Sequence, residues 1–77
     1  MRKDNLKMAI WMNMMMTAIR RRFGFSRHEF VPIAINYNII TFLIEHYELL
    51  HYYDNDNVVD DVVKFVEEQG GNLNDLP

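Results

Sequence analysis

Ile39-Ile40-Thr41-Phe42-Leu43-Ile44-Glu45-His46-Tyr47-Glu48-Leu49-Leu50 is apolar around most of its circumference when wound as a helix. At about 100° per residue, Thr41, Glu45 and Glu48 share one narrow polar strip, and the apolar residues take the rest. In a chain of 77 residues this predicts a helix from Ile39 to about Tyr52 that is enclosed on nearly every side. The fold it implies is all-α, a small four-helix bundle whose third helix is buried at the centre, with residues 1–77 forming one domain.

The flanking segments supply the cover. A first helix is expected from about Asp4 to Phe23, stopped by Gly24, with Arg20, Arg21 and Arg22 at the negative end of its dipole. Met8, Trp11, Met12, Met15, Met16, Ile19 and Phe23 make its apolar half, and Leu6, Ile10 and Met14 form a second stripe on the other side. That stripe is either packed in the core or is a partner-binding face, for which methionine is well suited. Ser26 and Glu29 have the spacing of a capping box, with Phe25 and Phe30 placed as a hydrophobic staple. Pro32 lies beyond the first turn of the helix so started, which predicts a kink or a later start. Asn38 is the expected left-handed residue of the next turn.

Past the central helix, Asp54 to Asn57 reads as a loop whose carboxylates cap a fourth helix. Val58, Val59, Val62, Val63, Phe65 and Val66 are that helix's apolar half, and Gly70 and Gly71 stop it. Residues 72–77 read as a frayed tail.

A chain of this size buries only about 60% of its unfolded surface, so its stability margin is thin. There is no cysteine to add a disulfide, which favours a cytoplasmic setting, and self-association is the remaining source of burial. The basic, Met-rich start resembles a signal peptide only superficially. Arginines stand where a cleavage site needs small residues, and an apolar run of about 12 residues is too short to span a bilayer. Charge is divided unevenly: residues 1–27 hold seven basic groups against one acid, a balance of +6, and residues 28–77 hold one lysine against ten acids, a balance of −9. The first helix should therefore lie against the acidic half, or chains should pair head to tail or reciprocally; each helix having its own solvated charged face is the plainer alternative.

Tests for chemistry fail. Asp54-x-Asp56 lacks the glycine and the terminal acid of a calcium loop, since Val59 and Phe65 stand there. His46 and His51 point about 140° apart on one helix, Ser26 is committed to capping, and no nucleophile–base pair is spaced for catalysis. His51 is expected to hydrogen-bond across a helix end. No enzyme activity, cofactor or metal is expected. Nucleic acid is a poor fit because the candidate recognition helix presents Glu45 and Glu48.

Ser26-x-x-Glu29, Tyr37, Tyr47-Glu48-Leu49-Leu50-His51 and Val59-Asp60-Asp61 together resemble a family of short bacterial proteins of unknown function, over about Met8 to Gly70. Asn38 stands where that family usually has glycine, and Pro32 interrupts a helix that is normally continuous. The resemblance implies genes beside those of ADP-ribosyltransferase-like toxins, hence an antitoxin-like or regulatory partner. The expected function is thus a non-enzymatic protein-interaction module and homo-oligomer, with Leu6, Ile10, Met14, Arg20, Arg21 and Arg22 as its contact surface. A small nucleic-acid-binding regulator using the basic first helix is the alternative.

Overall fold

Five helices, and no strand among the described residues, carry the chain: α1 Lys3–Phe23, α2 Arg27–Asn36, α3 Ile39–Glu45, α4 Tyr47–Leu50 and α5 Asn55–Glu68. The structure is a computed structural model and describes residues 3–75. α1, α3 and α5 contact one another pairwise and form the core, α2 packs on α3, and α4 continues from α3. No helix among the described residues is long and apolar enough to cross a membrane.

Local signals set most boundaries. α1 ends where Gly24 turns left-handed at φ 74°, a conformation a side chain would disfavour. The Ser26 hydroxyl accepts from the Glu29 N–H at 3.2 Å, and the Glu29 carboxylate accepts from the Ser26 N–H at 2.8 Å, so the capping box is complete. Phe25 stacks on Phe30 with centroids 6.3 Å apart, which closes the staple. α2 starts at that cap and continues through Pro32 to Asn36. Pro32 lies on the exposed side of α2, where water can serve the carbonyl that its missing N–H leaves free. Asn38 takes φ 57° and turns the chain into α3.

Three expectations about the central helix and the C-terminal tail need correction. The third helix is not continuous. No hydrogen bond joins the Tyr47 or Glu48 N–H to an α3 carbonyl, and His46, at φ −107° and ψ 10°, separates α3 from α4. The break accompanies a tertiary contact, since the Tyr47 ring meets Trp11 of α1 edge-on at 5.2 Å. Nor is that helix enclosed. Ile39, Leu43 and Leu50 are buried, but Ile40, Ile44 and Leu49 face out, because its partners are too few to cover more than one side. Finally Leu73, placed by the sequence in a frayed tail, is 2% exposed and belongs to the core, while Leu76 and Pro77 lie outside the described residues.

The most completely buried surface belongs to α5. Val58, Val59, Val62 and Val66 are sealed against the apolar faces of α1 and α3. Each such side chain contributes about 1.5–3 kcal/mol relative to exposure. Both ends of α5 are also tied by polar groups. At its start Arg22 of α1 pairs with Asp60 and, at 3.3 Å, with Asp56. At its end the Gln69 amide donates to the Tyr37 carbonyl at 2.7 Å and accepts from the Asn38 amide at 3.3 Å. The expected cap is not made: Asp54 occupies the N-cap position of α5 without a side-chain cap bond, and Asp56, in the first turn, pairs with Arg22.

The exposure pattern of α3 predicts opposite outcomes for neighbouring residues. Leu43→Ala should lower the unfolding free energy by about 2–5 kcal/mol, and Ile44→Ala by less than about 1 kcal/mol, in urea denaturation followed by circular dichroism. The reverse order would mean that α3 presents its other face to the core.

Candidate interaction surface

Leu6, Ile10 and Met14 recur every fourth residue on α1 and are 51%, 62% and 45% exposed. In the single chain this stripe is therefore not part of the core. Arg21 falls on the same line, seven residues beyond Met14, and is also exposed. The other two arginines of the triplet leave it, because successive helical residues point about 100° apart. Arg22 turns to α5, and the hydrogen bond to Asp60 is the main cause that raises its guanidinium pKa. Arg20 is half-buried and reaches the Phe25 carbonyl at a long 3.5 Å. Of the six contact residues expected from sequence, the structure groups Leu6, Ile10, Met14 and Arg21, sets Arg20 beside them, and separates Arg22.

Arg20 lies in a groove of about 270 Å³ between α1 and α2. Asn13, Met16 and Thr17 line it from α1, and Arg27, Phe30 and Val31 from α2. The local origin is plain: the capping box begins α2 at Arg27 and so places Phe30 and Val31 one turn further on, opposite the last turns of α1. Arg20, Arg21 and Arg27 have no carboxylate within ion-pair distance among the described residues, whereas Arg22 has two. Apolar exposure continues past the groove to Ile35, one turn beyond Val31. Arg27, Val31 and Ile35 were absent from the expected surface. The spacing of Val31 and Ile35, opposite to that of Phe30, Ile33 and Ala34, is the signal that would have found them.

A second exposed apolar region lies at the α3–α4 corner, where Ile44, Leu49 and Tyr52 are 47%, 57% and 79% exposed. Glu45 and Glu48 accompany them, and no arginine or lysine occurs between Arg27 and Lys64. Among the described residues no group of three or more histidines and carboxylates is placed to hold a metal ion. His51 Nδ1 lies 2.6 Å from the Tyr47 carbonyl, across the end of α4, and its ring stacks on Tyr47 with centroids 4.6 Å apart. That is the structural role the sequence assigns it.

A family model described as a protein of unknown function (DUF3791) matches residues 12–69, a span that takes in the groove and all of α2 to α5. No curated protein and no solved structure matches the chain.

The cap that orients the groove is pH-sensitive. Hydrogen bonds from Ser26, the backbone N–H foremost, hold the Glu29 carboxyl below its ordinary pKa. A depressed folded-state pKa means stabilisation that is present above the unfolded-state value and lost as pH falls through the folded one. Glu29→Gln, which keeps the acceptor but not the charge, should flatten the acid end of the stability–pH curve. Urea midpoints between about pH 6 and pH 3 measure this; identical acid losses in both proteins would refute it.

Proposed function

For a chain that belongs to the DUF3791 family of proteins of unknown function, we propose a non-enzymatic role as a protein-interaction module, an antitoxin-like or regulatory partner of another bacterial protein that also associates with itself. One observation carries this reading: a basic, apolar surface is left open on a chain whose core is already closed on the other side of α1. Contiguous exposed apolar residues beside arginines with no ion-pair partner among the described residues suit a protein surface with acidic and apolar groups. The antitoxin-like character rests on the family resemblance alone. The module works in the cytoplasm, without cofactor or metal.

The alternative, a nucleic-acid regulator, draws on the same arginines. It is disfavoured because Arg22 is engaged by Asp56 and Asp60, and because phosphate binding gains nothing from the apolar stripe. Changing Arg20, Arg21 and Arg22 together to Ala separates the two readings. The interaction module requires that a co-purifying protein be released while DNA retention is unchanged; loss of a salt-sensitive retention on DNA would favour the alternative.

Ile10→Gln with Met14→Gln should weaken partner capture about tenfold and leave the urea midpoint nearly unaltered, since both side chains are already in water. A large drop in stability with partner capture intact would show that the stripe is core. Light scattering tests the self-association. A clean 9.3 kDa monomer at micromolar concentration would remove that part of the proposal.

A further inference from the structure

The two exposed apolar regions of the chain carry opposite charge. The α1–α2 groove has Arg20 and Arg27 over a floor of Met16, Phe30 and Val31. The α3–α4 corner has Glu45 and Glu48 among Ile44, Leu49 and Tyr52, with no cation to neutralise them among the described residues. Within one chain they cannot meet. Tyr47 anchors the corner against Trp11, and Arg20 follows Trp11 by nine residues, which at about 100° per residue puts the groove on the opposite side of α1.

We infer that the α1–α2 groove of one copy receives the α3–α4 corner of a second copy, with Arg20 and Arg27 facing Glu45 and Glu48. This rests on the self-association proposed above and supplies its two surfaces. The groove is half-open and slightly smaller than the 300–1,000 Å³ common for small-molecule pockets, so it suits one or two protruding side chains, such as Leu49 and Tyr52, better than an enclosed ligand. The break at His46 suits this occupant, because non-helical backbone separates α3 from α4 and the acids and apolar groups on both sides of it are exposed. Since the two surfaces differ and lie on opposite sides of α1, the contact is heterologous. It propagates into a ring or an open chain and does not stop at a two-fold dimer. Charge steers the encounter, so association weakens as salt rises.

Charge reversal on separate chains provides the test. Arg27→Glu and Glu48→Arg change exposed residues, and each alone should raise the concentration at which mass grows in sedimentation velocity at low salt by about tenfold. An equimolar mixture of the two variants restores every facing pair and should assemble as readily as the parent protein. Leu49→Ala, which leaves all charges in place, should also weaken assembly. If the parent assembles but neither reversal affects it, or if the mixture assembles no better than its components, this pairing is wrong and self-association through another surface stands. A parent protein that stays a clean monomer at micromolar concentration would overturn both.

Discussion

The sealing of the α5 valine face is the constraint on which the remaining structure depends. Val58, Val59, Val62 and Val66 have no exposure to speak of, and they are closed off by Trp11, Met15 and Ile19 of α1 and by Ile39 and Leu43 of α3. A short chain has one core to fill, and filling it with the valines decides which side of each other helix turns inward. Arg22 and Gln69 hold the two ends of α5 in register. Exposed ion pairs such as those of Arg22 contribute less than about 1 kcal/mol, so their part is orientation more than stability.

Everything unpaired follows from that choice. With α1 turned so that Trp11, Met15 and Ile19 face α5 and α3, the line Leu6, Ile10, Met14 and Arg21 has to face water. With α3 committed through Ile39 and Leu43, Ile40 and Ile44 are left outside. The apolar excess first visible in the middle of the chain is real, but a fold of three contacting helices with α2 and α4 at its margin covers only one side of it. The surplus lies on the surface, and the interaction role proposed above rests on that surplus.

Gly71 shows how little separation the C-terminal segment leaves. A Cβ there would stand 2.5 Å from the Tyr37 ring, so the chain passes α5 flush against the α2–α3 turn before Leu73 enters the core. The sequence suggested only a helix stop at this glycine, because a stop is a local property and the approach of Tyr37 from 34 residues away is not.

From residues alone came most of what near neighbours govern: the capping box of Ser26 and Glu29, the Phe25–Phe30 staple, the left-handed turns at Gly24 and Asn38, the all-helical class, and the apolar face of each longer helix, though not the absence of a side-chain cap on α5. These depend on backbone sterics and on hydrogen bonds spanning three or four residues, which spacing displays directly. The candidate surface was half legible, since periodicity marked Leu6, Ile10 and Met14 as a separate stripe but could not say whether the rest of the chain covered it. Tertiary structure decided that question, as it decided the break at His46, the pairing of Arg22 with Asp56 and Asp60, the groove containing Arg27, and the clamp made by Gln69. Each of those is set by which surfaces compete successfully for a single small core, and that competition has no signature in the order of residues along the chain.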